Sequence, residues 1–136
     1  MRTFLAALLV LIVNHQALAE FVTAEAALRR GDHPEAYQAC KSEAEAGDPD
    51  CQVLVGYLFQ EGLGVPENAT EAIRLFRLAA KRGLAMAQCF LGLAYERGFG
   101  VSEDDAQAVR WYQLRLRSEI RSVNIFSRCR WRLAAG

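Results

Sequence analysis

Four cysteines, Cys40, Cys51, Cys89 and Cys129, are the residues of this 136-residue chain best suited to covalent chemistry. They are 11, 38 and 40 residues apart, and no two of them form a Cys-x-x-Cys pair. His33 is the only histidine after the first nineteen residues, and the sequence pattern places it near none of them. Because zinc sites combine closely spaced cysteines and histidines, this spacing indicates disulfides and predicts no metal and no other cofactor.

Other arrangements typical of catalysis are missing from the sequence. It contains no Ser-x-x-Lys, Gly-x-Ser-x-Gly or His-Glu-x-x-His pattern. His33 is interpreted as a surface residue, since a proline follows it at a predicted helix start. The pair Asp104-Asp105 is interpreted as a stabilising charge at a helix N-terminus. Gly62-x-Gly64 follows a predicted helix and no Lys-Ser/Thr comes after it, so a phosphate loop is not expected. The sequence predicts a protein that is not an enzyme, with no catalytic residues.

The chain is organised around a ten-residue stretch that occurs twice, at 56–65 and 92–101. Glycines and a valine recur at an offset of 36 residues, and the offset persists at Ala72/Ala108 and Gln52/Gln88. A constant period of this length is typical of repeat architectures, in which helix pairs stack on one another.

The first nineteen residues have the features of a secretory signal peptide. An apolar run covers 4–13, and Ala17-Leu18-Ala19 provides a small-x-small cleavage site. An uncleaved N-terminal membrane anchor is the alternative, and the charged sequence that follows favours cleavage. We expect a secreted or periplasmic protein with no transmembrane segment after cleavage. Four cysteines in an exported chain fit disulfides and predict that no thiol remains free.

The remaining chain divides at the 36-residue period. We expect a degenerate capping hairpin at 20–47, with a short helix from 20 to 30 and a second helix capped by Asp32. Two full helix–turn–helix repeats follow at 48–83 and 84–119, the first opened by Asp48. A C-terminal capping helix is expected at 120–136. Ser102 is expected to begin a capping box for the last helix of the second repeat.

Six glycines are expected to have structural roles in the repeat. The mid-helix glycines should allow a partner helix to approach closely, because they have no Cβ. The next pair should end the helix in the left-handed conformation, and the third should permit a further unusual turn conformation. The valine after each turn should plug the end of the hairpin. The mid-helix glycines are Gly56 and Gly92, and the glycines that end the helix are Gly62 and Gly98. The third pair is Gly64 and Gly100, and the valines are Val65 and Val101.

The second copy resembles the Sel1-like repeat. Its pattern is Ala87-Gln88-x-x-Leu91-Gly92-Leu93-x-Tyr95-x-x-Gly98-x-Gly100-Val101, followed by Ala108-x-x-Trp111-Tyr112, and the first copy matches it at most positions. The resemblance implies an all-α fold, a short α-solenoid of antiparallel helix–turn–helix units similar to tetratricopeptide arrays. It also implies a non-enzymatic protein–protein interaction module, an adaptor or regulator of a periplasmic or envelope partner.

A secreted, cysteine-rich branch of that family supplies the alternative function. It implies binding of a small molecule such as a β-lactam, with weak hydrolase activity at most. This sequence departs from that branch, because Cys51 stands at the position of Ala87 and Cys89 at the position of Val53. A regular bridge within each repeat is therefore not expected.

The helix pattern favours two bridges. Cys40 and Cys51 flank the turn near Gly47 on successive antiparallel helices, so we expect them to pair. Cys89 and Cys129 would lie on neighbouring first helices but about one helical turn out of level, which favours their pairing less.

Charge is distributed unevenly along the chain. Residues 20–50 hold eight acidic and three basic side chains, whereas 106–136 hold seven arginines and one acid. A basic end would suit an acidic protein surface, and export argues against nucleic acid. A solvated helix face is the alternative. Arg115 replaces a repeat alanine, so either the stack splays there or Arg115 faces solvent. The candidate partner-binding residues are Arg115, Arg121, Arg128, Arg130 and Arg132.

Overall fold

A computed structural model describes residues 2–121, except for the side chains of Val13 and of residues 119–121. This part of the chain forms six α-helices and contains no β-strand, which confirms the all-α prediction. The helices are α1 (Arg2–Arg30), α2 (His33–Ala46), α3 (Pro49–Glu61), α4 (Ala69–Lys81), α5 (Ala85–Arg97) and α6 (Asp105–Arg121).

Helix α1 is longer than the sequence analysis predicted. A short helix from 20 to 30 was expected, but the structure has one continuous helix from Arg2 to Arg30. The segment contains no glycine or proline, so nothing in it interrupts helical hydrogen bonding. Within the described chain, α1 alone is long and apolar enough to cross a membrane, a property that signal sequences near the N-terminus share.

Side-chain caps begin α2, α3, α4 and α6, whereas α5 begins at Leu84 without one. Asp32 accepts a hydrogen bond from the backbone N–H of Glu35 at 3.1 Å, and Asp48 caps α3 in the same manner, as predicted. The prediction of a capping box that begins at Ser102 is wrong. Asp104 accepts the bond from the N–H of Gln107 at 3.1 Å, because it occupies the position that Asn68 holds one repeat earlier.

Each helix packs against the next in chain order, which builds a short α-solenoid with two cores. The first core joins α1, α2 and α3 around Cys40 and Leu58. The second joins α3, α4 and α5 around Phe76 and Leu91. Val65 is half-buried against the first core and Val101 against the second, as expected for residues that close the ends of the hairpins.

The mid-helix glycines allow close packing, as the sequence predicted. A Cβ on Gly56 would lie 2.8 Å from the Phe76 ring, and a Cβ on Gly92 would lie 2.4 Å from the Tyr112 ring. These distances are shorter than van der Waals contact, so only glycine fits without movement of the ring. Gly62 and Gly98 end α3 and α5 with φ of 64° and 66°.

The turn glycines also join neighbouring helix pairs, which the sequence analysis did not foresee. A Cβ on Gly64 would lie 2.7 Å from the backbone carbon of His33, at the start of α2. A Cβ on Gly100 would lie 2.8 Å from the carbonyl oxygen of Ala69, at the start of α4. Each turn thus rests on the N-terminus of the preceding second helix, and its positive φ allows this approach.

A buried glutamine links each repeat to the helix before it. Gln52 Nε2 donates to the carbonyl of Ala44 at 3.2 Å, and Gln88 Nε2 donates to the carbonyl of Ala80 at 3.3 Å. These carbonyls belong to the last turns of α2 and α4, where intrahelical donors run out. The repeated bond therefore stabilises the end of one helix and fixes the position of the next helix relative to it.

Candidate functional site: a helical docking surface

Cys40 and Cys51 form a disulfide that joins α2 to α3 across the turn at Gly47, as predicted. Both residues are fully buried, and their Cα atoms are 5.1 Å apart. The bridge therefore joins the N-terminal hairpin to the first repeat instead of closing one repeat on itself. It is a structural element, and its burial keeps it away from any ligand.

The expected pairing of Cys89 with Cys129 remains a prediction, because Cys129 lies outside the described residues. Cys89 is buried on α5, and its Sγ atom lies 3.9 Å from Nη1 of Arg115. This contact bears on the earlier alternatives for Arg115. The side chain is half-buried against α5, so it does not simply face solvent.

The candidate arginines are not brought together in the described structure. Arg115 contacts Cys89, and Arg121 is the last residue of α6, with its side chain outside the described part. Arg128, Arg130 and Arg132 lie beyond the described residues. Their role in partner binding therefore remains a prediction.

The structure instead reveals an aromatic face on the side of the stack formed by α3 and α5, which we define by Tyr57 and Phe90. Their ring centroids are 6.2 Å apart, so the pair crosses from the first repeat to the second. Phe90 also stacks on the buried ring of Phe76, at 4.8 Å and nearly parallel. Tyr57 and Phe90 are both half-buried.

Polar groups stand on the helix next to this face. The exposed Arg77 of α4 donates from Nη2 to the hydroxyl of Tyr95 on α5 at 3.1 Å. The bond limits the motion of a guanidinium group that still has other N–H groups to offer. At the other end of the stack, Tyr37 meets Phe59 edge to face at 6.0 Å.

This surface was not predicted from the sequence. One signal was available, because Phe90 stands 36 residues after Leu54, where the first repeat has a smaller side chain. Leu54 is buried, whereas Phe90 is too large for the same pocket and extends to the surface. The larger side chain at position 90 thus departs from the 36-residue repeat and marks the site.

The pKa values of Tyr112 and Glu71 are shifted by their surroundings in the fold. Burial raises the pKa of Tyr112 far above its ordinary value, and the hydrogen bond that its hydroxyl donates to Glu96 adds to the shift. The hydrogen bond from Arg74 lowers the pKa of the Glu71 carboxyl. Tyr112 is thus held as a neutral donor and is unsuited to act as a base near neutral pH.

Histidine and the acidic residues form no metal cage in the described part of the chain, where no three of these side chains or cysteines are grouped to hold an ion. His33 is half-buried at the start of α2, not fully on the surface as interpreted. Its Nδ1 atom is buried and accepts no hydrogen bond from the described residues. The arrangement as a whole offers shape, aromatic surface and hydrogen-bond donors, which suit binding.

The comparisons with known proteins agree with this geometry. The Sel1 repeat family matches residues 49–84 and 85–114. The crystal structure of a Sel1 repeat protein from Oxalobacter formigenes is 32% identical, with a TM-score of 0.67, and the match covers 75% of this chain and 43% of that one. A second similar structure is c5321, a protective antigen of uropathogenic Escherichia coli strains with an SLR fold. It is 30% identical with a TM-score of 0.69, over 74% of this chain and 22% of that one.

These matches define the class of the protein. The chain belongs to the Sel1-like repeat family, whose members are generally protein–protein interaction modules. It spans less than half the length of either similar structure. No curated protein matches the chain.

Proposed function

We propose that this protein is an exported, non-enzymatic module that binds a segment of a protein partner on its aromatic face. The half-buried ring pair of Tyr57 and Phe90, which joins two repeats, is the observation that carries this proposal. Aromatic side chains held in place by neighbours lose little conformational freedom when they bind, so they make effective anchors at interfaces. Phe76 supports Phe90 from below by stacking.

The partner segment should present an apolar side chain and a carboxylate. The apolar group would lie between Tyr57 and Phe90, and Arg77 on the adjacent helix would donate to the carboxylate. Arg128, Arg130 and Arg132 would add long-range attraction for an acidic surface. In this proposal, reversing these three to glutamate lowers the association rate and its dependence on salt.

Export is supported by the apolar segment at 4–13, the Ala17-Leu18-Ala19 site and the Cys40–Cys51 disulfide. Disulfides of this kind persist in the periplasm and outside the cell. N-terminal sequencing of the chain recovered from a bacterial periplasm tests the proposal. It should begin at Glu20, whereas an intact N-terminus in the membrane fraction would show that α1 is retained as an anchor.

Partner binding is tested with paired variants. Tyr57→Ser removes an accessible ring, and Leu78→Ser removes an exposed apolar side chain of similar size on α4. The host envelope protein that co-purifies with the wild type should be lost with Tyr57→Ser and kept with Leu78→Ser. Equal recovery with both variants, at equal helix content, would place binding elsewhere.

A further inference from the structure

The two repeats bury one stripe of their second helices very differently. On α4, Ile73 and Ala80 are only 2% and 3% exposed, because α5 packs on them. One period later on α6, Val109 and Leu116 are 52% and 53% exposed. The second stripe is at least as apolar as the first, so it is built to be covered.

Cys89 belongs to the same end of the stack. It occupies the position of Val53, which packs into the core shared with the following repeat. Arg115, which contacts Cys89, occupies the position of Ala79, another residue of that core. We call this surface the end face and define it by Cys89, Val109, Arg115 and Leu116.

We propose that residues 122–136 of the same chain dock on the end face and bring Cys129 against Cys89. The fifteen residues that follow α6 repeat the apolar spacing of a helix, with Val123, Phe126, Cys129 and Leu133 on one stripe. Arg128 and Arg132 lie off that stripe, whereas Arg130, seven residues after Val123, lies on it. The tail therefore carries an apolar surface with a thiol at its centre, opposite an apolar surface that also carries a thiol.

The length of the tail fits the distance. From Val109 to the end of α6 the helix rises about 18 Å, and the roughly twelve helical residues left after a turn of about three span about 18 Å. The tail can therefore fold back along the whole stripe. A second copy of the chain is a less suitable occupant, since it would bring no cysteine partner that the tail does not already provide.

Closing the bridge joins the Sγ atoms of Cys89 and Cys129. Two electrons and two protons pass to a disulfide oxidant such as oxidised glutathione, which leaves as two thiols. Peptide mapping tests this placement in the mature chain equilibrated with reduced and oxidised glutathione. Cleavage after glutamate separates the four cysteines, with Cys89 in 72–96 and Cys129 in 120–136. The linked pair of peptides is expected, and Cys129 recovered unlinked or joined to a second chain would overturn the proposal.

Docking is tested separately from the bridge in a Cys129→Ser background. Leu116→Ser should raise the rate of tryptic cleavage within 122–136 about tenfold, because the exposed form of the tail becomes more populated. Leu114→Ser is the matched control, since Leu114 and its counterpart Leu78 are exposed in both repeats. Circular dichroism confirms that both variants keep the helices.

Equal cleavage rates in the two variants would overturn the docking of the tail. Protection that appears only as protein concentration rises, together with a dimer in sedimentation, would assign the end face to a second copy. This outcome also overturns the proposal. Partner binding at Tyr57 is unaffected by either result.

Discussion

The two repeats have the same backbone arrangement and differ in what packs on their C-terminal side. In both, an aromatic ring of the second helix fills the space above a mid-helix glycine: Phe76 over Gly56, and Tyr112 over Gly92. Phe76 is fully buried and stacks on Phe90 of the next repeat. Tyr112 is half-buried and donates its hydroxyl to the exposed Glu96.

The difference shows that the residues of each repeat determine the geometry of its hairpin, whereas packing against the neighbouring repeat determines the stability of that hairpin. The first repeat is packed from both sides and is also joined to the N-terminal hairpin by a disulfide. Stability in such stacks is close to a sum of units and nearest-neighbour interfaces. The second repeat should therefore be the weaker one.

The largest difference is expected for the aromatic rings. Phe76→Ala should lower the free energy of unfolding by about 3–5 kcal/mol, because it removes a fully buried ring and leaves a cavity. Tyr112→Ala should cost about 1–2 kcal/mol, because part of its surface is already in water. Urea unfolding measures both. Equal losses would mean that the second repeat is as tightly packed as the first.

The disulfide should contribute next. Replacing both Cys40 and Cys51 by alanine should lower stability by about 3 kcal/mol, because the unfolded chain regains the freedom of a short closed loop. Thermal unfolding followed by circular dichroism gives the shift. The double variant in reductant is the control, since any further loss there must come from another bridge. A shift near zero would show that the hairpin holds without the link.

The mid-helix glycines give a smaller contrast. Gly56→Ala should destabilise by about 1–2 kcal/mol, because Phe76 is held between Gly56 and Phe90 and cannot move away. Gly92→Ala should be closer to neutral despite the nearer ring, since Tyr112 can swing toward solvent and alanine favours the helix by about 1 kcal/mol. Chemical denaturation tests the order, and a larger loss at Gly92 would reverse it.

For the buried glutamines, the larger loss of stability is expected in the second repeat instead of the first. Gln88 Oε1 accepts a hydrogen bond from Ser118 at 3.0 Å, whereas the buried Gln52 Oε1 accepts none within the described residues. Gln88→Leu should therefore cost about 1–2 kcal/mol, and Gln52→Leu should stay within about 0.5 kcal/mol of the wild type. Denaturation of Ser118→Ala separates the two bonds of Gln88. A costly Gln52→Leu would contradict this assignment.

The smallest effect concerns an ion pair that only the first repeat has. Arg74 bonds Glu71, while the second repeat has Arg110 and Gln107 at these positions. Arg74→Ala should cost at most about 0.5 kcal/mol, because the pair is largely exposed, and Arg110→Ala should cost nothing measurable.

The pH dependence of that pair follows from the lowered pKa of Glu71. A carboxyl with a lowered pKa stabilises the fold above its unfolded value of 4.5, and this is lost as pH falls through the folded pKa. The stability difference between wild type and Arg74→Ala should therefore vanish in acid. A difference that persists at low pH would point to packing by the arginine stem.

The sequence predicted the backbone of the repeats well and their surfaces poorly. Gly56, Gly62 and their counterparts were read correctly because glycine has few structural roles in a helix or at its end. The cap at 102 was misplaced because a local motif was preferred to the 36-residue period, which points to Asp104. The period was the stronger signal, since it transfers a whole contact pattern.

Burial of individual side chains was harder to predict. Arg115 is half-buried, although charge alone favours an exposed position, because its guanidinium lies against Cys89 of α5. The aromatic face was missed because hydrophobicity does not separate a core residue from one that is half accessible. That distinction depends on which helix lies opposite, and sequence spacing within one helix does not contain it.

Site-specific photocrosslinking at position 57 tests the central claim, protein binding on the aromatic face, most directly. A photoreactive phenylalanine replaces Tyr57 in one variant and Leu78 in another, and both are irradiated in the envelope of the native host. One defined covalent adduct is expected from position 57, absent from position 78 and reduced when Arg77 is changed to alanine. Adducts that are the same at both positions, or absent at position 57 while the protein is folded and exported, would contradict it.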